Sequence, residues 1–390
     1  APIVLASNLR ININAGGTTA RLDISGSISQ VAGSTFGLDI MGPGRLTLSG
    51  GTANTYTGLT TVFSRGSSDA TNPDLVLAKT ITNGTIIGDL KIGNVSMGGS
   101  GTPTVQLGAS DQIADTSLIK FDSGFGGDST GNNGNNSYWK LMGFNETVRG
   151  LSDFTASGVI ENLEGENQAT NSTLTLNTSG VSYFNGFLRD RANNTGSGVL
   201  NLVIGGTGTQ VLALGNISYS GTTTINSGAT LVLESATSFG NGTSGGTIGA
   251  QTITNNGTLG FRISNGAGWT FTRLISGSGA IVRDGGTGTL AFNSASTIGG
   301  GFVYDRVSFD SPPSPCGSGC RRSSGVDPFF QLEGGLELDF SGVLVDAVLE
   351  SQFQSSREIT PVGTTGGTSI FDSQPLVHVG PGLRVGYGFW

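Results

Sequence analysis

The sequence of 390 residues contains few side chains suited to catalysis or metal binding, with one histidine and two cysteines. Cys316 and Cys320 lie together in PCGSGC. We expect a short structural disulfide across the Gly-Ser-Gly turn, with two reduced thiols as the alternative. A metal or redox site is disfavoured, because neither a second cysteine pair nor a nearby histidine completes a ligand set. His378 stands in LVHVG, where the alternation with apolar residues predicts a strand residue that faces solvent or a lumen. With so few suitable side chains, we expect neither a metal nor a cofactor.

Two groups of carboxylates raise the question of glycoside hydrolysis, which uses a pair of acidic side chains. The groups are Asp111 with Asp115, and Glu161 with Glu164 and Glu166. Neither is followed by the arginine, lysine or histidine residues that substrate binding or proton transfer favours. The stretch ENLEGE over 161–166 therefore predicts a solvated loop. A non-enzymatic protein is favoured over a glycan-degrading β-helix enzyme.

The composition favours short strands joined by many turns. Charged residues make up 12% of the chain and 67 residues are glycine, whereas an ordinary soluble domain has about 25% charged residues and about 7% glycine. The net charge of −8 and the presence of only four lysines argue against a nucleic-acid partner. No run of 18 apolar residues occurs, so no membrane-spanning helix is expected. The first residues, APIVLASNLR, lack the regions of a signal peptide, so we expect any leader to have been removed or left out.

Internal repetition is the strongest pattern in the sequence. The segments Gly44–Val62 and Gly208–Ile225 share G-x-L-x-L-x-G, a polar turn and then an aromatic-[ST]-G-x-T-T-[VI] strand, and Gly288–Ile298 repeats the first part. The repeated positions are Leu46, Leu48, Gly50, Tyr56 and Gly58 in the first copy, and Leu212, Leu214, Tyr219 and Gly221 in the second.

Short strands of this kind predict a solenoid. A single coil of short strands cannot bury its own apolar side, whereas coils stacked about 4.8 Å apart bury a continuous interior and pair their backbones. The inward Leu, Val, Ile and Phe side chains then form columns, and glycine supplies the corners that need a positive φ. We expect about 20–25 residues in each coil, as in other repeat proteins.

The repeats resemble the passenger-associated repeat of bacterial autotransporters, whose usual form is close to LTLSGxNTYTGxTTINxGTLxL. The similarity covers roughly residues 40–300. It implies a right-handed parallel β-helix on the cell surface, acting as an adhesin or a scaffold. Together with the change to longer alternating strands near residue 300, it predicts an all-β chain with a parallel β-helix over residues 1–300 and an antiparallel β segment over 301–390.

One stretch departs from that pattern. DSGFGGDSTGNNGNNSYWK, over 122–140, is longer than the corresponding family segment and predicts an inserted loop. Tyr138 and Trp139 stand at its end. They are a candidate contact loop, and the favoured alternative is a plain loop whose aromatic side chains fold back on the β-helix.

The last ninety residues have longer alternating strands, about four in number. The candidates are Phe302–Phe309, Phe330–Phe340, Val343–Phe353 and Val377–Phe389. The terminal alternation of Leu383, Val385, Tyr387 and Phe389 resembles the final strand of outer-membrane proteins. Four strands cannot close a membrane barrel, so several chains must share one, or else the segment is a soluble cap or assembly module.

Together these patterns predict a non-enzymatic, exported bacterial surface protein that is anchored or assembled through its C-terminal strands. We expect a homo-oligomer located at the cell surface, in the outer membrane or outside the cell, with the outer membrane or a cell-surface polymer as a partner. A self-assembling extracellular fibre or sheath subunit is the alternative, because open solenoid ends present strand edges to other chains.

Overall fold

The computed structural model is built almost entirely from strands and turns. It describes residues 2–14, 20–63, 73–93, 102–122, 136–153, 155–162, 169–191, 197–213, 217–234, 253–263, 268–271, 273–285, 289–292, 303–304, 329–340, 343–354 and 377–387. Within these ranges no helix occurs, and so none with the length and apolarity needed to cross a bilayer. The prediction of an all-β chain is confirmed for this part of the protein.

The strands are short up to residue 304 and long beyond it. The earlier strands are β1 Ile3–Leu5, β2 Leu9–Asn12, β3 Arg21–Ile24, β4 Ile28–Gln30, β5 Leu38–Met41, β6 Arg45–Gly50, β7 Thr60–Val62, β8 Leu75–Lys79, β9 Leu90–Ile92, β10 Thr104–Leu107, β11 Leu118–Phe121, β12 Ser137–Lys140, β13 Glu146–Val148, β14 Gly150–Asp153, β15 Gly158–Glu161, β16 Ser172–Thr178, β17 Val181–Phe184, β18 Phe187–Arg189, β19 Leu200–Gly206, β20 Thr209–Ala213, β21 Thr223–Ile225, β22 Thr230–Glu234, β23 Ile253–Asn255, β24 Thr258–Arg262, β25 Gly268–Phe271, β26 Ile275–Ser276, β27 Ala280–Arg283, β28 Thr289–Phe292 and β29 Val303–Tyr304. The later strands are β30 Phe329–Phe340, β31 Val343–Gln354 and β32 Val377–Tyr387.

The chain divides into two compact units. The first consists of Ala1–Ala280 with Gly286–Gly299, and the second of Ile281–Gly285 with Gly300–Trp390. The first unit contains three parallel sheets, which we call sheets I, II and III. Sheet I has the order β3-β6-β8-β10-β12-β15-β18, sheet II runs through β2-β5-β7-β9-β11-β14-β17-β20-β22-β24, and sheet III has the order β13-β16-β19-β21-β23-β26.

The chain returns to the same sheets again and again: it alternates between sheets II and I from β5 to β12 and between sheets III and II from β19 to β24. From β13 to β18 it passes through sheets III, II and I and then III, II and I again, so each strand pairs with the one formed a full circuit earlier. Neighbouring strands of sheet II start between 21 and 32 residues apart, as the pairs Thr209–Thr230 and Leu118–Gly150 illustrate. The predicted circuit of about 20–25 residues is too short for most of these pairs. The circuit containing Leu118 also holds the stretch that we predicted as an insertion.

The apolar columns follow from period-two alternation and in-register pairing. In β6 the side chains of Leu46 and Leu48 are buried while Thr47 between them is half-buried. Leu48 pairs in register with Leu77, which continues the column into β8. Leu212 is likewise fully buried, whereas Leu214 lies outside the described residues.

The repeat motif has a shared geometry in both copies. The Tyr56 hydroxyl lies 2.8 Å from Thr60 Oγ1, and the Tyr219 hydroxyl lies 2.6 Å from Thr223 Oγ1, with both tyrosines fully buried. These hydrogen bonds satisfy a phenol that would otherwise be an unpaired buried donor.

Glycine in the motif allows close backbone approach. A Cβ at Gly58 would lie 2.3 Å from the Phe36 carbonyl carbon, and one at Gly221 would lie 2.1 Å from the Leu200 carbonyl oxygen. Gly50, with φ of +83°, supplies a left-handed corner. The glycines of the motif therefore stand where one circuit packs closely on the preceding one.

The second unit includes three long antiparallel strands in the order β30-β31-β32. At one end Val343 pairs with both Phe340 and Tyr387, and at the other end Phe353 pairs with both Phe330 and Val377. The three strands are therefore paired along nearly their whole length. The predicted strand Phe302–Phe309 is described only at Val303–Tyr304, which pairs in parallel with β27. Among the described residues the antiparallel group contains three of the about four predicted strands, and residues 305–309 of the fourth candidate lie outside them.

Candidate functional site

A row of buried polar side chains links successive circuits of the first unit, and we call Asn54, Thr85, Gln112 and Glu146 the polar ladder. Asn54 Oδ1 accepts a 2.9 Å hydrogen bond from the Ile28 N–H, and its Nδ2 donates a 2.7 Å bond to the Thr85 carbonyl. The Thr85 hydroxyl donates to Gln112 Oε1 at 2.7 Å. Each side chain thus bonds a neighbouring circuit, so the interior is tied together by hydrogen bonds as well as by apolar contact.

Glu146 ends this ladder and caps backbone donors. Its carboxylate accepts the Gln112 N–H at 2.8 Å, and the Ile113 and Thr147 N–H groups lie at 3.3 Å from Oε1. The pKa of Glu146 is raised to about 8, chiefly by burial and to a smaller extent by the nearby Asp111, while the three N–H donors act to lower it. A proton on Glu146 is therefore favoured by folding.

The stability of the protein is expected to fall as the pH rises because of Glu146. A carboxyl whose pKa is raised in the folded state contributes stability that is complete below pH 4.5 and is lost as the pH rises through about 8. Since a tenfold change in proton affinity corresponds to about 1.4 kcal/mol, the loss amounts to a few kcal/mol. Glu146→Gln keeps an acceptor oxygen but cannot ionise, so the variant should gain stability over the parent between pH 5 and pH 9. Denaturant unfolding at several pH values measures this difference.

Glu234→Gln is the control for this prediction, because Glu234 makes a partly exposed ion pair with Arg262. We expect the free energy of unfolding of that variant to keep the parent's pH slope. A parent and Glu146→Gln protein whose stabilities stay parallel across this range would show that Glu146 does not take up a proton on folding.

Two further buried carboxylates hold turns in place. Asp153 accepts three backbone N–H bonds from the turn over 155–158. Burial raises the pKa of Asp153 while these bonds act to lower it. Asp190 accepts from the Leu200 N–H at 2.8 Å and from the Ser220 hydroxyl at 2.5 Å. Both carboxylates therefore have a structural role, because they accept hydrogen bonds from buried backbone N–H groups that would otherwise be unpaired.

A buried ion cluster lies across β12, β15 and β18 of sheet I. Glu161 Oε1 is 3.3 Å from Lys140 Nζ, and Glu161 Oε2 is 2.8 Å from Arg189 Nε. All three side chains are at most 8% exposed. Lys140 Nζ also lies 5.3 Å from the centre of the Tyr138 ring, a cation–π contact. The Glu161 carboxylate on β15 therefore contacts one cation on each of the two neighbouring strands, β12 and β18.

The cluster corrects the prediction made for Glu161. The sequence predicted a solvated loop without a basic partner, yet Glu161 ends strand β15 and is buried between Lys140 and Arg189. The register of parallel strands brings these three residues together, and a single sequence does not reveal that register. Glu164 and Glu166 lie outside the described residues.

Tyr138 and Trp139 are also placed differently from the contact-loop hypothesis. Both lie within β12, and their exposed fractions are 4% and 0%. Trp139 belongs to the apolar interior, and Tyr138 packs with Val159 and Phe187 on the opposite face of the sheet. Neither side chain is available for contact with a partner, which agrees with the alternative in which the aromatics fold back.

A polar groove crosses the turns that precede four neighbouring strands of sheet II, β5, β7, β9 and β11. It has a volume of about 370 Å³ and is open to solvent. Its lining comprises Thr35, Thr57, Gly58, Leu59, Ile87, Gly88, Asp89, Thr116, Ser117 and Lys120. We call it the turn groove. Three strand spacings of about 4.8 Å give it a span of roughly 14 Å.

Charged side chains gather at one end of the turn groove. Asp89 Oδ2 lies 2.8 Å from Lys120 Nζ, and Asp89 Oδ1 lies 3.5 Å from Arg149. Burial acts to raise the pKa of Asp89, but these cations and the Leu118 N–H lower it overall. Lys91 pairs in register with Lys120, an unfavourable like-charge pairing, and itself contacts Asp122 at 2.5 Å. Sequence reasoning missed this group, because its members come from separate circuits.

Asp111 and Asp115 lie near each other but, among the described residues, without a cation or a third ligand. Asp111 has a positive φ of 53° and lies near Asp115, and burial followed by that like charge raises its pKa. Neither residue has an ion pair among the described contacts. In the described part of the chain, no three His, Cys, Asp or Glu side chains are grouped to hold a metal ion. Cys316, Cys320 and Phe389 lie outside it.

The C-terminal strand candidates are described by their backbone alone. Leu383, Val385 and Tyr387 lie in β32, the last described strand, and pair with β31. His378 lies in the same strand and pairs with Gln352.

Comparison of this chain with protein-family models, with curated proteins and with solved structures finds no match.

Proposed function

We propose that the first unit is a right-handed parallel β-helix that serves as a rigid, non-enzymatic scaffold or adhesin on the surface of a bacterium. The observation that carries this proposal is the repeated passage of the chain through sheets III, II and I with in-register parallel pairing. The likeness of its repeats to the autotransporter passenger-associated repeat supports the surface location. Stability in such a fold comes mainly from contacts between neighbouring circuits.

The interior of the first unit supports a mechanical role. Apolar columns such as Leu48–Leu77 occur together with the hydrogen-bonded polar ladder, so the circuits between residues 28 and 146 are held by both kinds of contact. The buried Glu161 cluster adds a charged link between three strands. Glu161 is already engaged by Lys140 and Arg189, which favours a structural role over general acid or base catalysis.

The three antiparallel strands β30, β31 and β32 form the proposed anchoring or assembly module. Their lengths of 12, 12 and 11 residues far exceed those of most strands in the first unit. An antiparallel sheet of three strands has two edges that a second chain can extend by backbone pairing. We therefore propose a homo-oligomer assembled through this unit.

Resistance to proteolysis tests the scaffold proposal. The full chain is digested with a broad-specificity protease while hydrogen exchange is followed by mass spectrometry. We expect amides of the paired strands in sheets I, II and III to exchange slowly and to survive digestion, because local opening breaks contacts with both neighbours. Rapid exchange throughout these sheets would contradict the proposal.

Localisation and assembly are tested separately. Protease treatment of intact cells of the source organism should remove an epitope placed in the first unit if that unit is presented at the surface. Particle size in plain buffer and in mild detergent then distinguishes the assemblies. A small ring that needs detergent supports the anchored form, whereas long polymers without detergent support the alternative of a fibre or sheath subunit.

A further inference from the structure

The turn groove presents side chains rather than free backbone groups. The backbone around it is already paired between circuits: the Gly58 N–H donates to the Phe36 carbonyl, and the Thr60 N–H donates to the Asp89 carbonyl, both at 3.0 Å. A peptide therefore cannot bind there by adding a strand, which requires an unpaired edge. What remains for a ligand is a row of hydroxyl groups, one exposed apolar side chain and a charged end.

Three exposed threonine hydroxyls lie along the groove. Thr35 and Thr57 are exposed in successive turns, and Thr116 is exposed two turns beyond Thr57, with the half-buried Ile87 in the turn between them. Leu59, 41% exposed, gives an apolar contact beside them. The Thr35 and Thr57 hydroxyls, about 4.8 Å apart, and the Thr116 hydroxyl, roughly 10 Å further on, alternate with the apolar side chains of Leu59 and Ile87, which matches the polar and apolar faces of an extended sugar chain.

The charged end favours an anion. Asp89 is the one carboxylate contacted by both Lys120 and Arg149, whose side chains are 40% and 38% exposed. Lys91 and Asp122 form a one-to-one pair beside them. In this group three cations outnumber the two carboxylates that they contact, in a chain whose net charge is −8, while the exposed Asp115 beside Thr116 partly offsets that excess.

We propose that the turn groove binds an acidic polysaccharide, which lies across the stacked turns with its carboxylates directed to Lys120 and Arg149. The proposal gives the adhesin form of the proposed function its ligand class. It rests on that function only for its biological setting, because the groove is formed wholly within the first unit.

The affinity of hexagalacturonate for the full chain tests this proposal by isothermal titration calorimetry at low salt. We expect Thr57→Glu and Thr116→Glu each to weaken binding at least tenfold, because each adds a carboxylate to the groove. Thr52→Glu is the matched control, since Thr52 is equally an exposed threonine but does not line the groove. Its affinity should stay within twofold of the parent. Binding should also weaken as salt is raised from 20 mM to 200 mM.

A gain in affinity provides a test that does not depend on damage to the fold. Asp115 is exposed and precedes Thr116 without lining the groove, so Asp115→Asn removes a nearby repulsive charge. We expect its affinity for hexagalacturonate to rise two- to threefold.

The proposal is overturned if hexagalacturonate does not bind, if neutral maltohexaose binds equally well, or if the two groove variants bind like Thr52→Glu. Protease resistance of the same preparations distinguishes failure of the ligand proposal from failure of the scaffold proposal. A resistant protein that does not bind refutes the ligand and leaves the scaffold intact, whereas a protein that binds but is readily digested refutes the scaffold alone.

Discussion

Leu48→Asp is expected to lower the free energy of unfolding by at least about 3–5 kcal/mol, the usual effect of an uncompensated buried charge. Leu48 is fully buried and its side chain packs in the column that includes Leu77. The added carboxylate has no cation opposite it in either neighbouring strand, where Ile24 and Leu77 are its register partners. The surrounding circuits should therefore lose their pairing. Denaturant unfolding followed by circular dichroism measures the change.

Val76→Asp is the matched control for this substitution. Val76 lies on the adjacent strand β8 but is half-buried between the buried Leu75 and Leu77, so its side chain faces the other side of the sheet. Its register partners, Thr47 and Gln106, carry no charge. We expect a loss of about 1 kcal/mol or less. Equal unfolding curves for the parent and Leu48→Asp would mean that the interior is assigned to the wrong face.

Glu161→Gln is the second substitution with a large expected effect. It leaves Lys140 and Arg189 buried on either side of β15 without the carboxylate that both contact. Removing one partner from a buried ion pair typically costs about 3–5 kcal/mol. The measurement is the midpoint of denaturant unfolding at pH 7, together with any release of reducing sugar from a polysaccharide panel.

A combined substitution separates the charge effect from packing. Lys140→Met, Glu161→Leu and Arg189→Met together replace the cluster by apolar side chains, which is often neutral or stabilising when the volume is kept. We expect this triple variant to recover most of the lost stability. In the partly exposed pair of Glu234 and Arg262, Glu234→Gln should cost less than about 1 kcal/mol. Polysaccharide cleavage by the parent that Glu161→Gln abolishes at unchanged stability would instead favour the enzyme hypothesis.

The periodic part of the fold was predictable because its cause is local. Alternation in LTL and in TLTL places every second side chain on one face, and Leu46, Leu48, Leu174 and Leu176 are all buried as that pattern requires. The equal spacing of Tyr and Thr in the two repeat copies likewise predicted a shared turn, although only the structure shows the hydrogen bond between them.

The candidate sites were less predictable because their residues come from different circuits. Lys140, Glu161 and Arg189 belong to three strands separated by loops of unequal length, so their sequence spacing carries no simple period. The same holds for Asp89, Lys120 and Arg149 at the end of the turn groove. Circuit lengths between 21 and 32 residues decide which charges meet, and a single sequence does not give those lengths.

By itself, the sequence determined the all-β character, the inward columns and the use of glycine at corners that need a positive φ, because these depend on alternation and backbone sterics within a few residues. Only the tertiary structure decided which polar side chains are buried, which charges share a partner and where the turn groove lies. Those features depend on the register between strands, and that register is set by packing between segments distant in sequence.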